Sequence, residues 1–141
     1  MKKIYTIGVL AIIFLSYGCS KDFLKSYDKR IVGTWNIDYV NVIGLGGNAS
    51  NLPFNNGTIT FYSNGSLEYS SSANRVFKGN WDIVKKTRDD QTVRSLQVTA
   101  VDYTSHEVLT QYYDDMNFTG TNRFKATINS SFHSYVTHFS R

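Results

Sequence analysis

From Ile31 onward, apolar and polar residues alternate with a period of two along most of the chain. Such alternation predicts β-strands that have one face in a core and the other in water. No stretch of this region holds an apolar period of 3.6 residues, so the pattern predicts an all-β domain of about eight antiparallel strands. The spacing fits an up-and-down barrel, with a β-sandwich as the alternative. The predicted strands cover residues 32–42, 57–63, 66–72, 76–84, 92–101, 105–113, 122–128 and 132–140.

Short polar segments mark the connections between these strands. Asn64-Gly65 separates two alternating runs, and this dipeptide is typical of a two-residue hairpin turn in which both residues take a positive φ. The charged run 85–90 predicts another turn, and residues 43–56 predict a long polar loop.

The first 19 residues have the pattern of a secretory signal. Lys2 and Lys3 precede an apolar run over residues 4–15, which is too short for a permanent transmembrane helix of about 20 residues. Residues 15–19 (LSYGC) resemble the lipobox of bacterial lipoproteins. This resemblance implies cleavage before Cys19 and attachment of acyl chains to that cysteine. Two or more acyl chains hold a protein stably on a membrane.

These features predict an outer-membrane lipoprotein in three parts. Residues 1–18 are the signal peptide, residues 19–30 are a lipidated tether, and residues 31–141 are the β-barrel domain. Residues 20–22 (SKD) resemble an export signal that sends some lipoproteins to the cell surface. The lipoprotein could therefore face either the periplasm or the outside of the cell.

Charge and cysteine content exclude several classes of function. The chain has 15 basic and 11 acidic residues, and removal of Lys2 and Lys3 with the signal leaves 13 basic ones. This small excess, with no cluster of basic and aromatic residues, argues against binding of nucleic acid. Cys19 is the single cysteine, so its lipidation leaves no thiol for a disulfide, a metal site or a nucleophile.

Three segments of the β-region resemble the small lipocalin-like domains that are common in bacterial lipoproteins. They are residues 33–35 (GTW), 57–67 (GTITFYSNGSL) and 79–83 (GNWDI). In that family a Gly-x-Trp opens the first strand, a Phe-x-x-x-Gly hairpin follows, and a second Gly-x-Trp comes after it. The resemblance covers residues 31–141 and implies a barrel. An eight-stranded barrel holds one small ligand or is filled by its own side chains.

Aromatic residues make up 15% of the chain, and ten of them are tyrosines. Such side chains could line a cavity for a small apolar or amphipathic ligand, or they could simply fill a packed core. The candidate cavity-lining residues are Trp35, Tyr39, Phe61, Tyr69, Trp81, Tyr112 and Phe124.

Catalytic chemistry has little support in the sequence. His106, His133 and His138 are scattered, and the last two face opposite sides of one predicted strand. The pairs Asp89-Asp90 and Asp114-Asp115 fall in predicted turns, where Asp is a common turn residue.

We therefore expect a non-enzymatic, lipid-anchored envelope binding protein without a cofactor or a metal, which contacts the membrane through its anchor and holds a small hydrophobic ligand in the barrel. The alternative is a protein-interaction or structural component of the cell envelope. It would have a filled barrel and would use loops 43–56 and 86–91.

Overall fold

A computed structural model describes residues 25–141. The predicted signal peptide, Cys19 and the first half of the predicted tether lie outside the described residues. The described part contains the short helix α1 (Tyr27–Ile31), a 3-10 helix at Ala49–Asn51, and nine strands. The strands are β1 (Gly33–Gly44), β2 (Thr58–Phe61), β3 (Ser66–Ser70), β4 (Val76–Arg88), β5 (Gln91–Asp102), β6 (Glu107–Tyr113), β7 (Asp115–Gly120), β8 (Arg123–Asn129) and β9 (His133–Ser140).

All nine strands belong to one antiparallel sheet, in the order β6-β5-β4-β3-β2-β1-β9-β8-β7. The predicted all-β class is confirmed, since 63% of the described structure is strand. The strand that the sequence did not predict is β7, which begins at Asp115, within a predicted turn. Its residues form an antiparallel ladder with β8, from Asp115 opposite Thr127 to Gly120 opposite Arg123.

Asp114 connects the two edges of this sheet. It is the one residue between β6 and β7, and its backbone N–H donates to the Thr127 carbonyl at 2.8 Å. Its carbonyl accepts a hydrogen bond from Ser95 Oγ at 3.1 Å, and its carboxylate accepts one from the Asn129 N–H at 2.7 Å. Because Ser95 lies on β5 and the other two partners lie on β8, the sheet is strongly curled. No ladder joins β5 or β6 to β7 in the described chain, so hydrogen bonding does not close the sheet into a barrel.

The β2–β3 hairpin differs from the predicted two-residue turn. Gly65 has a φ of 82°, whereas Asn64 is not in the positive-φ region. The Tyr62 N–H donates to the Ser66 carbonyl at 2.9 Å, so the loop contains three residues. Three-residue hairpins place a residue, most often Gly, in the left-handed conformation after a type I turn. The Asn64 side chain accepts from the Ser66 N–H at 3.0 Å and fixes the loop.

The β4–β5 hairpin is longer than predicted and has a tighter turn. Asp89 and Asp90 have φ values of 49° and 60°, and Arg88 pairs with Gln91 across them. Two consecutive left-handed residues are the requirement of a type I′ turn, which Asp tolerates because its short polar side chain bonds locally. The predicted charged turn 85–90 is therefore mostly strand.

The core lies inside the curl of the sheet and consists of inward-facing side chains from all nine strands, α1 and the β1–β2 loop. It is dominated by large aromatic and branched residues. Its buried apolar members are Ile31, Trp35, Ile37, Phe54, Ile59, Phe61, Leu67, Tyr69, Phe77, Leu96, Val98, Ala100, Tyr113, Met116, Phe124, Ala126 and Phe139; of β9, Thr137 is buried as well.

Candidate functional site

Four of the seven predicted cavity-lining residues are buried: Trp35, Phe61, Tyr69 and Phe124. Each of them contacts another aromatic ring, and Tyr69 and Phe124 also line shallow pockets that open on the surface. Trp35 and Phe124 have ring centroids 4.7 Å apart in an edge-to-face arrangement, and Phe124 stacks on Phe139 at 4.2 Å. Such pairs contribute about 0.5–1.5 kcal/mol beyond the area they bury. The interior at this position is packed with rings.

Trp81 is partly buried at the rim of the core. Its Nε1 donates to the Tyr62 carbonyl at 3.0 Å, and its ring lies 5.6 Å from that of Phe61. The side chain therefore braces the β2–β3 loop against β4.

Tyr39 points outward, and the prediction that it lines the interior is wrong. The alternation of β1 places Trp35 and Ile37 inside, but a β-bulge between Ile37 and Tyr39 shifts the register against β9. A one-residue shift moves every later side chain to the opposite face. Tyr39 is accordingly 51% exposed and stacks on His138 with ring centroids 4.2 Å apart.

Tyr112 also lies on the outer face, contrary to prediction. It is the neighbouring Tyr113 that is buried, opposite Leu96 of β5. Tyr112 accepts a hydrogen bond from the Lys86 ammonium, which lowers the pKa of the tyrosine. Burial raises the pKa of Tyr113.

Helix α1 covers one end of the core. Trp35 Nε1 donates to the Ile31 carbonyl at 2.6 Å, and both residues are fully buried. The sequence assigns most of α1 to the tether, but the structure packs Tyr27 against the core and joins its hydroxyl to Asn117 Oδ1 at 3.0 Å. This helix is therefore continuous with the folded domain.

The β1–β2 loop covers the opposite end. Phe54 from this loop is buried, and its ring lies 4.9 Å from that of Tyr69. The Tyr69 hydroxyl donates to the Asn56 carbonyl at 2.9 Å, and burial raises the pKa of Tyr69. Both ends of the curled sheet are thus covered by chain that packs into the core.

A shallow groove of about 310 Å³ lies beside the Phe54 loop. Arg75 on its wall pairs with Asp102 at 2.8 Å and with Glu107 at 2.7 Å. The Arg75 guanidinium, followed by the Thr104 N–H, holds the pKa of Asp102 well below its usual range. The guanidinium offsets one of the two negative charges, and its contacts tie the β5–β6 turn to the start of β4.

An apolar surface, which we call the apolar tip, lies where β1 meets the β8–β9 turn. It consists of Ile43, Leu45 and Phe132, which are 61%, 81% and 80% exposed. The Leu45 N–H donates to the Phe132 carbonyl at 3.0 Å, so these two side chains belong to adjacent backbone segments. Exposed apolar side chains on neighbouring backbone segments make this surface a candidate interaction site.

Residues 25–141 hold no group of three or more His, Cys, Asp or Glu residues that could bind a metal ion. His133 contacts Tyr135, whereas His138 lies on the outer face, where burial under neighbouring groups lowers its pKa.

None of the helices within residues 25–141 has the length and apolar character needed to cross a membrane.

Comparisons of the chain with family models, with curated proteins and with solved structures each found no match.

Sequence reasoning missed Phe54 and the apolar tip. Phe54 stands alone in a polar loop after Pro53, so no periodicity indicates its burial. Leu45 and Phe132 are single apolar residues in loops, and only their backbone hydrogen bond brings them together. The glycines around Leu45 were the one available signal of the apolar tip, since they mark the β1–β2 loop, which contacts the β8–β9 turn.

Proposed function

We propose that the protein is a lipid-anchored component of the cell envelope whose filled β-domain binds another protein through the apolar tip. In this proposal Cys19 carries the lipid and the domain is a lipocalin-like barrel. The curled sheet and the Asp114 contacts between its edges support the barrel. Leu45 of the β1–β2 loop lies within the predicted interaction loop 43–56 and forms part of the binding surface.

The observation that carries the proposal is the exposure of Ile43, Leu45 and Phe132 on backbone segments that the Leu45–Phe132 hydrogen bond brings together. Full burial of a Leu or Phe side chain contributes about 1.5–3 kcal/mol. Three such side chains can therefore form the apolar centre of an interface, where most of the binding energy is concentrated. Burial of the interior aromatic residues leaves the surface, and not the core, as the place for recognition.

The position of the apolar tip supports a partner outside the membrane. The tether enters the domain at α1, next to the first residue of β1, whereas the apolar tip lies at the other end of this strand. At about 3.3 Å per residue, the 12-residue strand separates them by roughly 35 Å. An anchor at Cys19 would hold α1 near the lipid surface and direct the apolar tip away from it.

Site-specific photo-crosslinking in cells tests this function. A photoreactive residue at position 45 or 132 should give a discrete adduct, and the same residue at Tyr103 should not. Tyr103 is a matched control because it is also an exposed aromatic residue, at 73%, in a different turn. The double variant Leu45→Ser/Phe132→Ser, with the probe at position 43, should lose the adduct.

The size of the adduct identifies a second copy of the chain or a different protein. Equal labelling from position 103, or no adduct from either tip position, would contradict the proposal.

A further inference from the structure

A cavity of about 540 Å³ opens on the surface beside α1, at the end of the domain where the tether enters. Four of its described lining residues are cationic, namely Lys25, Arg30, Lys85 and Arg94, and Asp28 is the acidic residue among them. We call this cavity the basic groove. Four cations and one carboxylate give the lining of the basic groove a net charge of +3.

Aromatic rings hold the two arginines of the basic groove in place. The Arg94 guanidinium lies 4.0 Å from the centre of the Tyr27 ring, and that of Arg30 lies 4.0 Å from the centre of the Phe118 ring. Arg30 also donates one hydrogen bond to the Gly120 carbonyl at 3.0 Å. A guanidinium carries five N–H donors in a planar fork that matches the oxygens of a phosphate. Stacking on a ring leaves the edge of that fork available for such a group.

We infer that the basic groove binds phosphate-bearing anionic lipid headgroups of the leaflet that holds the anchor. This inference rests on the proposed function, because it needs the lipid on Cys19. Cys19 and Lys25 are six positions apart in the sequence, and an extended chain of that length reaches at most about 20 Å. The groove is therefore kept close to headgroups, whose negative charge attracts cations over about 8 Å at physiological ionic strength.

Binding to the headgroups would also orient the domain. With the basic groove on the lipid surface, β1 leads away from the membrane and the apolar tip faces outward. The two ends of the domain would then have separate tasks: the groove would contact lipid, and the tip would contact protein.

Vesicle flotation of the unlipidated mature chain tests the groove without the anchor. The chain from residue 19 with Cys19→Ser is suitable because residues 25–141 contain every strand and the whole core. At low salt and millimolar lipid, it should float with vesicles of phosphatidylglycerol and phosphatidylethanolamine and should not float with phosphatidylcholine vesicles. Each cation near an anionic surface strengthens binding about fivefold. Lys85→Gln/Arg94→Gln should therefore weaken the partition coefficient about 25-fold.

The matched control is Lys78→Gln/Lys125→Gln, which removes the same charge from exposed positions on β4 and β8 outside the groove. It should change the partition coefficient less than twofold. An equal loss in both double variants would overturn the inference, because binding would then follow net charge alone. Binding to neutral vesicles would overturn it as well, as would binding that appears only after deletion of residues 20–24. Failure here leaves the anchor untouched, since membrane fractionation of Cys19→Ser in cells tests that separately.

Discussion

Single residues decide which face of a strand reaches the core. At two places, in β1 and in β6, they make the period-two pattern misleading. The β1 bulge reverses the phase after Ile37, so Tyr39 goes outward and Val40 turns inward. In β6 the adjacent Tyr112 and Tyr113 are equivalent by composition, and only the pairing with β5 selects Tyr113 as the buried one. At a bulge or in a pair of adjacent aromatic residues, alternation does not indicate which side chain is buried. Trp35 lies in an undisturbed alternation, so its burial was predictable.

Trp35→Ala should destabilise the domain by about 3–5 kcal/mol, the usual cost of removing a large buried aromatic residue. The variant loses the ring contact with Phe124 and the Nε1 hydrogen bond to Ile31. Chemical denaturation measures the free energy of unfolding, with Tyr112→Ala as the control on the outer face. That control should lose less than about 1 kcal/mol. Similar losses in both variants would contradict the assignment of the two faces.

The Arg75–Asp102 pair predicts a dependence of stability on acid. Because the pKa of Asp102 is lower in the folded chain than its ordinary value of 3.8, its contribution is complete above about pH 4 and is lost as the pH falls further. The urea concentration at the unfolding midpoint of the wild type should therefore decrease as the pH is lowered below about 4. This decrease should be smaller in Asp102→Asn. The exposed Asp82 provides the control, since Asp82→Asn should keep the slope of the wild type. An unchanged slope in Asp102→Asn would show that other carboxylates cause the acid sensitivity.

Elements were predictable where turn residues separate the alternating runs. Eight of the nine strands follow from the pattern, including the long β1 and β5 and the short β2 and β3, which Asn64-Gly65 separates. The strand β7 was missed because it begins beside Asp114-Asp115, which has the composition of a turn. Its strand character comes from pairing with β8, a long-range contact that no local signal contains. The covering of both ends of the core also depends on contacts between separate segments, because Tyr27 of α1 contacts Asn117 of β7 and Phe54 contacts Tyr69 of β3.

The pairing of β4 with β5 explains why the second Gly-x-Trp segment has a glycine at position 79. A Cβ atom on Gly79 would lie 1.8 Å from the Thr99 carbonyl oxygen, which belongs to the backbone of the neighbouring strand. Gly79→Ala should therefore destabilise the sheet by about 1–3 kcal/mol through overpacking. Gly120→Ala is the matched control, since a Cβ there meets nothing within 4 Å. Thermal or urea denaturation that ranks the control as equally damaging would refute this account.

The β1–β2 loop is the element that separates a filled domain from a ligand carrier. Phe54→Ala should cost about 3–5 kcal/mol and open the end of the core beside Tyr69. A fluorescent apolar probe should then bind the variant and not the wild type, while Phe132→Ala, an exposed aromatic control, changes neither property. Stoichiometric binding of the probe to the wild type, or a small molecule retained in native mass spectrometry, would favour the ligand carrier.

At the scale of the whole molecule, the proposed anchor and the basic groove attach to membranes by forces that salt distinguishes. Acyl chains bind by burial of CH₂ groups, at about 0.8 kcal/mol each, whereas charge attraction at 1 M salt is screened within about 3 Å. Cys19→Ser should therefore release the chain into the soluble fraction of lysed cells at high salt and leave a weak membrane-bound fraction at low salt. Lys85→Gln/Arg94→Gln in the same background should remove that residual fraction. The wild type should stay with the membranes at either salt concentration, so a Cys19→Ser chain that still pellets with membranes at 1 M salt would rule out the lipid anchor.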